Sequence, residues 1–329
     1  MERFDEYVDR CLYDPIEGFY ATRGEAGGAR GDFVTSPEVG PLFGHLIARY
    51  LDAVWDDLGR PDRFVVVEAA AGRGALAKAV LASAPRCSSA LEYITVERSA
   101  RLREAQRELL GETVTIAAAV DQVADGAPFV GVILANELLD NLAFRVAVRV
   151  GGEWAEVYVT DGGPVAGPLG PTAVDLPGVP DGTRLPICEQ AGAWVARAVD
   201  RLAAGRVLAI DYGVTTTAEL VGRDWLRTYR GHDRGGDPFE SPGRTDITTD
   251  VPFDQLPSGA QIATQAAFLA ALGIDDLVEE GRRIWTERAH LGDLEAVRAR
   301  SRVTEAEALS DPDGLGAFLV AEWRVRPAD

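Results

Sequence analysis

A glycine loop that follows a short apolar run is the part of the sequence best suited to chemistry. Residues 65–74 read V-V-V-E-A-A-A-G-R-G, the pattern of a buried strand that turns into a helix. Glycines at such a turn let the backbone approach a ligand, and the start of the following helix offers free N–H donors. Gly72 and Gly74 are therefore predicted to belong to a cofactor site.

Two acids beside this loop indicate which ligand chemistry it suits. Glu68 stands just before the loop, and Glu97 follows the next strand-like run, Y-I-T-V at 93–96. A carboxylate at the position of Glu97 can accept both hydroxyls of an adenosine ribose. Glu68 is placed to bind an amino-acid ammonium, directly or through water, and it would repel a pyrophosphate.

Two cofactors use such an arrangement. The run G-R-G-A-L-A at 72–77 fits the dinucleotide pattern G-x-G-x-x-A, with an acid about 20 residues further on, as an NAD site requires. S-adenosylmethionine sites commonly have an acid just before the loop, as Glu68 is here, and a cationic sulfonium is compatible with that charge. The acids favour S-adenosylmethionine, and a strand–helix turn without a ligand is the alternative for the loop taken alone.

A second polar run, N-E-L-L-D-N at 136–141, follows another apolar strand pattern at 129–135. Ligands in an open parallel sheet bind beyond the carboxyl ends of the strands, so this run is expected near the glycine loop. Asn136 is a candidate to orient the cofactor or a nucleophile. Glu137 and Asp140 are candidates to hold a cationic substrate or to accept a proton.

The elements that must position these residues alternate between strand and helix. Apolar runs and amphipathic stretches predict strands at 64–67, 91–96, 114–116, 129–135 and 207–210, helices at 75–83, 99–110 and 189–204, and a hairpin of 144–150 with 154–159. Strands separated by helices of this length imply a doubly wound α/β fold with a parallel sheet and right-handed crossovers.

Helical sequence flanks this core on both sides. Residues 1–12 have amphipathic helical spacing, and S-P-E at 36–38 is predicted to begin a helix that ends near residue 58. Helical patterns occupy 262–301, and a strand-like run lies at 318–325. We expect an N-terminal helical lid and motif loop at 1–62, a Rossmann-like core at 63–253 with a Gly/Pro-rich excursion at 161–182, a helical addition at 254–316, and a closing strand of the core at 317–329.

Composition excludes several classes of protein. The chain has 329 residues, of which 47% are hydrophobic and 26% charged, as in soluble globular proteins. Its formal charge of -19 argues against binding to nucleic acid or to an anionic membrane. An acidic N-terminus and three isolated cysteines predict a cytoplasmic protein with neither a targeting peptide, nor a disulfide framework, nor a metal site.

Several segments in a fixed order resemble the MidA family of S-adenosylmethionine-dependent methyltransferases. They are Y-D-P-I-E-G-F-Y at 13–20, G-D-F-V-T-S-P-E at 31–38, L-F-G at 42–44, the glycine loop, N-E-L-L-D-N at 136–141, D-Y-G at 211–213 and R-G-H at 230–232. The block at 31–38 is the most specific, because no general fold rule demands it. The resemblance implies a Rossmann-like class I methyltransferase sheet and S-adenosylmethionine as the cofactor.

The resemblance also implies an acceptor and a set of site residues. The family includes a mitochondrial complex I assembly factor that methylates arginine, so an arginine-bearing protein is the expected methyl acceptor. A guanidinium with a pKa above about 12 must be oriented by carboxylates, for which Glu38, Glu137 and Asp140 are the candidates. The predicted cofactor contacts are Asp32, Thr35, Ser36, Glu68, Ala69, Gly72, Gly74, Glu97 and Asn136. Closure of the loop 24–35 over the cofactor would exclude water.

Two positions depart from the family pattern. The family's loop usually reads E-L-G-P-G-R-G, and here Ala70 replaces the first glycine. The acid that the family tends to have after the third strand is replaced by A-A-A at 117–119, with Asp121 as its shifted equivalent or with the contact absent. The alternatives to a methyltransferase are a methyltransferase-like assembly or binding factor without activity, and an NAD-dependent oxidoreductase.

Overall fold

A seven-stranded sheet forms the centre of the computed structural model, which describes residues 1–22, 35–230, 233–291 and 293–327. Its strands are β1 (Phe64–Ala69), β2 (Leu91–Val96), β3 (Thr115–Ala117), β4 (Phe129–Asn136), β5 (Leu202–Asp211), β6 (Gln261–Thr264) and β7 (Leu319–Val325). Their order across the sheet is β3-β2-β1-β4-β5-β7-β6, and β7 runs antiparallel to both of its neighbours. The strand order reverses between β1 and β4, where open α/β sheets bind ligands.

Helices cover both faces of this sheet. They are α1 (Phe4–Tyr13), α2 (Phe19–Thr22), α3 (Ser36–Val39), α4 (Pro41–Asp57), α5 (Ala75–Ala82), α6 (Ala100–Leu110), α7 (Glu189–Asp200), α8 (Gln265–Ala271), α9 (Ile274–Arg288) and α10 (Leu294–Ser310). All six residues of β1 are buried: Val65 and Val67 share a core with α1 and α7, and Phe64 and Val66 share one with α4 and α5. The predicted doubly wound α/β fold is confirmed.

A smaller antiparallel sheet follows β4 and contains the predicted hairpin. Arg145–Val150 pairs with Glu153–Thr160 around Gly151 and Gly152, whose φ angles of 59° and 81° fit a tight hairpin turn. Glu2–Arg3 and Arg184–Ile187 extend this sheet. Gly163–Pro168 pairs with Glu153–Thr160, so part of the Gly/Pro-rich excursion predicted at 161–182 forms a further strand of this sheet.

Short strands also lie between β5 and β6. Gly213–Val214 pairs with Val251–Pro252, and Leu226–Arg230 pairs with Asp233–Arg234 and with Asp246–Thr249. The helix predicted over 189–204 ends at Asp200, because the chain enters β5 at Leu202.

The single helix predicted from residue 36 is divided in two at Gly40. A Cβ atom at Gly40 would overlap the carboxyl group of Glu305, which comes from α10. An oxygen of Glu305 accepts the N–H of Leu42 at 2.8 Å and so caps the start of α4. The break therefore depends on a residue far away in the chain. Within the described ranges, the helices include none that is long and apolar enough to cross a membrane.

Candidate functional site

A cavity of about 390 Å³ opens at the carboxyl ends of β1, β2 and β4. Its walls come from the glycine loop, the strand ends, the N-terminal helices and one face of α7. The lining residues include Tyr13, Tyr20, Thr35, Glu38, Glu68, Ala69, Ala70, Gly72, Glu97, Asp121, Asn136, Glu137 and Trp194. The parallel sheet thus brings the glycine loop, the end of β2 and the run at 136–141 to one site, as the sequence predicts.

The two glycines of the loop have different tasks. Gly72 has a φ of 53°, and a Cβ atom built on it meets none of the described residues within 4 Å, so its backbone borders the space of the cavity. Gly74 has a φ of 86°, and its Cβ atom would lie 2.8 Å from a methyl group of Leu110. Gly74 therefore allows α6 to pack closely behind the loop, whereas Gly72 is the glycine that faces the ligand space.

Ala70 occupies a backbone conformation that suits glycine. Its φ is 52°, and it lines the cavity with an exposed side chain. A left-handed conformation costs an ordinary L-residue about 1–2 kcal/mol. This cost explains why the family pattern has a glycine at this position. In this chain, the methyl group of Ala70 borders the space that a cofactor would use.

The two acids at the strand ends are both buried in the cavity wall. An oxygen of Glu68 accepts the hydroxyl hydrogen of Tyr93 at 2.7 Å, and burial raises the pKa of Glu68 to about 7. Glu97 accepts the N–H of Gly72 at 3.1 Å and the N–H of Ser99 at 2.8 Å. Burial also raises the pKa of Glu97. Because desolvation penalises the anion, these two carboxylates favour a ligand that carries positive charge or hydroxyl donors.

The turn after β4 holds Glu137 in a strained backbone conformation. The φ of Glu137 is 54°, and its N–H donates to the carbonyl of Ile210 on β5 at 2.8 Å. The fully buried carboxylate of Asp211 accepts the N–H groups of Leu139 at 2.8 Å and Asp140 at 3.3 Å. The D-Y-G run therefore has a structural role: its Asp211 holds the turn that carries Glu137.

The side chains of Asn136 and Glu137 face the cavity. One oxygen of Glu137 accepts the N–H of Ser36 at 3.3 Å and the side-chain N–H of Asn136 at 3.1 Å. Burial, together with the nearby charge of Asp140, raises the pKa of Glu137 to about 8. The buried Oδ1 of Asn136 has no hydrogen-bond partner among the described residues, so it can accept a hydrogen from a ligand.

Asp140 lies behind the cavity wall. Its Oδ2 accepts the hydroxyl hydrogen of Tyr212 at 2.6 Å, and its Oδ1 accepts the amide N–H of Asn141 at 3.0 Å. The residue is 1% exposed, and burial raises its pKa to about 6. The cavity lining includes Asn141 and not Asp140, so the sequence-based role for Asp140 in direct contact with substrate does not match this geometry.

The segment 35–38 divides between the cavity and the protein interior. Thr35 and Glu38 line the cavity, and Glu38 also accepts the N–H of Thr35 at 3.4 Å, as a residue that caps a helix would. Ser36 is fully buried, and its hydroxyl donates to Gln265 at 3.0 Å, so it does not face the predicted cofactor. Asp32 and most of the predicted lid loop lie outside the described residues.

Two tyrosines form a wall that was not predicted as part of the site. Tyr13 and Tyr20 stack with ring centroids 5.4 Å apart, and the guanidinium of Arg98 lies 4.3 Å from the Tyr13 ring. The hydroxyl of Tyr20 donates to Oδ1 of Asn141 at 2.7 Å, and that of Tyr13 to the Asn141 carbonyl at 3.2 Å. The spacing in the run at 13–20 was the available signal, because both tyrosines belong to it.

The far end of the cavity lies between the segment after β3 and helix α7. Ala118, Ala119 and Asp121 contribute one side, so Asp121 occupies the region expected of the shifted acid. Gln190, Trp194 and Arg197 of α7 contribute the other side, and no motif in the sequence singled them out. In the described part of the chain, no group of three or more His, Cys, Asp or Glu side chains is arranged to hold a metal ion.

The residues of the cavity fit S-adenosylmethionine. The space at Gly72 allows close approach of a ligand to the backbone, and Asn136 offers an acceptor that none of the described residues satisfies. Glu97 lies where a ribose is expected, at the end of the second strand. Glu68 lies beside the loop, and a cationic ligand would favour the anionic form of its buried carboxyl group, whereas a pyrophosphate would not.

Comparison with known proteins gives a family and named relatives. The family profile described as "Putative S-adenosyl-L-methionine-dependent methyltransferase" matches residues 46–274. The chain is similar to the mitochondrial protein arginine methyltransferase NDUFAF7 of Danio rerio, with 28% identity over 316 residues that cover 83% of this chain and 74% of the relative. The protein of the same name in Homo sapiens is 28% identical over 315 residues, which cover 82% of this chain and 69% of the relative.

Solved structures agree with the family. A protein of Burkholderia thailandensis crystallised with S-adenosyl-homocysteine has a TM-score of 0.82 and 28% identity, and the match covers 99% of this chain and 88% of that one. A native crystal structure from the same organism has a TM-score of 0.79, with the same identity and coverage. Both matches extend over the central sheet and its flanking elements.

These comparisons confirm the predicted methyltransferase, its cofactor and the resemblance to MidA-like proteins. They disagree with the NAD-dependent oxidoreductase, which was the alternative based on the short G-x-G-x-x-A pattern. The predicted cytoplasmic location stays a prediction. Because the family profile covers well over half of its length, the chain belongs to this family of S-adenosylmethionine-dependent methyltransferases.

Proposed function

We propose that this methyltransferase modifies the guanidinium group of an arginine in a protein. The observation that carries the proposal is the pair of carboxylates Glu38 and Glu137, which line the same cavity as the predicted cofactor contacts. The two lie close enough for the charge of Glu38 to contribute to the raised pKa of Glu137. The curated relatives, which are named protein arginine methyltransferases, support the same acceptor.

Four residues are assigned to the cofactor. S-adenosylmethionine supplies, when bound, a methyl group on a positively charged sulfur. Glu97 would accept the ribose hydroxyls, and Gly72 would leave room for the ligand against its backbone. Asn136 would accept a hydrogen from the amino-acid ammonium through its unpartnered oxygen. Glu68 would add negative charge at the same end, where its hydrogen bond from Tyr93 holds it in place.

The acceptor is assigned to the two carboxylates. A guanidinium stays charged at any physiological pH, so charge-assisted hydrogen bonds to Glu38 and Glu137 can bind it and fix its plane. Binding at two points holds one nitrogen in a defined position in the cavity. Orientation of this kind can lower a reaction barrier by about 7–11 kcal/mol.

Glu137 is also the candidate base. The nitrogen that gains a methyl group must give up a proton, and a carboxylate with a pKa near 8 takes a proton readily at neutral pH. A bound guanidinium is positively charged and favours the anionic form of Glu137. Glu137 would therefore be ionised when the acceptor arrives and would hold the proton, on a carboxylate oxygen, after the transfer.

The test is to identify which residue is labelled. Purified protein is incubated with a cell extract and methyl-labelled S-adenosylmethionine, and the labelled proteins are hydrolysed for amino-acid analysis. We expect label in methylarginine, and about a 100-fold loss of that label with Glu137→Gln. Glu153→Gln, at an exposed acid in the hairpin of the smaller sheet, is the matched control and should keep full activity. Label in another amino acid, or only in small molecules, would contradict the proposed acceptor.

A further inference from the structure

We propose that Gln265, in the C-terminal helical addition, is a positioning residue for the cofactor cavity that acts through Ser36 on the part of the cavity wall formed by Thr35 and Glu38. This assigns the addition a task in the site, although it contributes no side chain to the lining given above. The inference depends on the cofactor and not on which acceptor is methylated.

The first contact joins Gln265 to Ser36. Both side chains are fully buried, and the hydroxyl of Ser36 donates to Oε1 of Gln265 at 3.0 Å. The Nε2 of Gln265 donates to the carbonyl of Leu309 at 3.1 Å. Because a carbonyl can only accept, this second bond fixes the orientation of the amide and leaves its oxygen for Ser36.

The second contact joins Ser36 to the cavity. The backbone N–H of Ser36 donates to Glu137 at 3.3 Å, and the neighbouring residues Thr35 and Glu38 line the cavity. Two hydrogen bonds therefore connect Gln265 to the carboxylate of Glu137. A displacement of Ser36 would therefore move the cavity wall formed by Thr35 and Glu38. It would also remove a hydrogen-bond donor from the carboxylate of Glu137.

The segment 35–38 cannot hold its own position. Helix α3 has four residues, which is too short for a helix to be stable without tertiary contacts. The turn at its end is fixed by Glu305 of α10, which accepts the N–H of Leu42 at 2.8 Å and a hydrogen from Ser301 at 2.6 Å. Both supports, Gln265 and Glu305, come from the same helical addition.

The hydrogen bond between Gln265 and Ser36 contributes more to the orientation of Ser36 than to the stability of the fold. A buried hydrogen-bonded pair contributes little more to stability than an apolar pair of the same shape. The directional bonds of Gln265, however, define where Ser36 lies in a way that apolar packing would not. A single substitution leaves a buried partner unpaired and should therefore also lower stability, so the loss of cofactor affinity is the effect that is specific to positioning.

The experiment measures the affinity for S-adenosylhomocysteine by calorimetry, well below the unfolding temperature. Gln265→Met keeps the side-chain volume and should weaken binding about fivefold, and Ser36→Ala should do the same. The double variant should be no more than about twofold weaker than either single one, because both changes break one link. Gln261→Met, at an exposed glutamine on β6, is the matched control and should bind like the wild type.

Any of three outcomes would overturn the proposal. If the Gln265→Met variant unfolds at a lower temperature but binds S-adenosylhomocysteine like the wild type, the role of Gln265 is purely structural. If the losses of binding free energy in the two single variants add up in the double variant, Gln265 and Ser36 act independently. If Gln265→Met does not fold, Ser36→Ala decides alone, and unchanged affinity would contradict the link. Binding needs no methyl acceptor, so these results do not depend on arginine being the substrate.

Discussion

The carboxylate of Asp211 accepts the backbone N–H of Leu139 at 2.8 Å. Asp211 ends β5, whereas Leu139 belongs to the turn after β4, so one side chain joins the ends of two adjacent strands. The same carboxylate also accepts the N–H of Asp140 and that of Tyr212. These bonds secure the turn in which Glu137 adopts its left-handed conformation.

Replacing this carboxylate should destabilise the protein. Asp211→Asn puts an amide NH₂ where at least one backbone N–H now donates, so a buried donor is left without an acceptor. The expected loss is about 1–3 kcal/mol of unfolding free energy, measured by urea denaturation. Asp161→Asn, at an exposed turn, is the control and should change stability by no more than about 0.5 kcal/mol. Equal stability of the two variants would show that the turn does not depend on Asp211.

Ala70→Gly should stabilise the protein by relieving the strain of a φ of 52°. The relief of about 1–2 kcal/mol exceeds the entropy that glycine adds to the unfolded chain, about 0.5–1 kcal/mol. Ala84, with a φ of 50° on an exposed turn, is the matched control. Ala84→Gly should stabilise the chain similarly, but only Ala70→Gly should change the affinity for S-adenosylhomocysteine, because only Ala70 lines the cavity. Unchanged affinity in both variants would mean that the Ala70 methyl group does not touch the cofactor.

The stability of the protein should fall as the pH rises from about 4.5 to about 8. Burial raises the pKa of Glu137 to about 8 from an ordinary value of 4.5. Between these two pKa values, the folded protein holds a proton on Glu137 that the unfolded chain has lost. This difference in bound protons makes the free energy of unfolding decrease as the pH rises. Glu137→Gln should remove that part of the pH dependence and should be more stable than the wild type at pH 8.5, as measured by denaturation. Glu153→Gln should follow the wild-type curve, and a Glu137→Gln curve parallel to it would contradict the raised pKa.

Tyr20→Phe should weaken cofactor binding by loosening the turn that carries Asn141. The change removes the 2.7 Å hydrogen bond to Asn141 and leaves a buried amide oxygen short of a donor. We expect a loss of about 1–3 kcal/mol in stability and a weaker affinity for S-adenosylhomocysteine. Tyr158→Phe removes an exposed hydroxyl bonded to Pro168 and should affect neither quantity. If Tyr20→Phe binds S-adenosylhomocysteine as tightly as the wild type, the tyrosine wall does not contribute to cofactor binding.

Much of the central sheet could be predicted from local sequence. β1 is buried on both faces, so its run of apolar residues and the glycines after it are a strong signal. The meeting of Gly72, Glu97 and Asn136 at one edge follows from parallel strands with helical crossovers. β6 could not be predicted in this way, because all four of its residues are exposed and have no apolar alternation.

The parts of the site that sequence patterns missed depend on distant contacts. A serine before a proline and a glutamate is a good helix start whichever way its hydroxyl turns, and here Gln265 determines that direction. The break at Gly40 likewise depends on Glu305. The sequence predicts Asp140 at the substrate because it belongs to the same polar run as Glu137, but Tyr212 and Asn141 hold it behind the wall.

The location of the cofactor at the ends of β1 and β2 is tested most directly by titrating wild type and Glu97→Gln with S-adenosylhomocysteine. We predict one site per chain in the wild type and about 10-fold or weaker binding in Glu97→Gln, with an unchanged circular dichroism spectrum. Glu108→Gln, at an exposed acid on α6, should bind like the wild type. Equal affinity of Glu97→Gln and the wild type would contradict the assignment of this cavity to the cofactor.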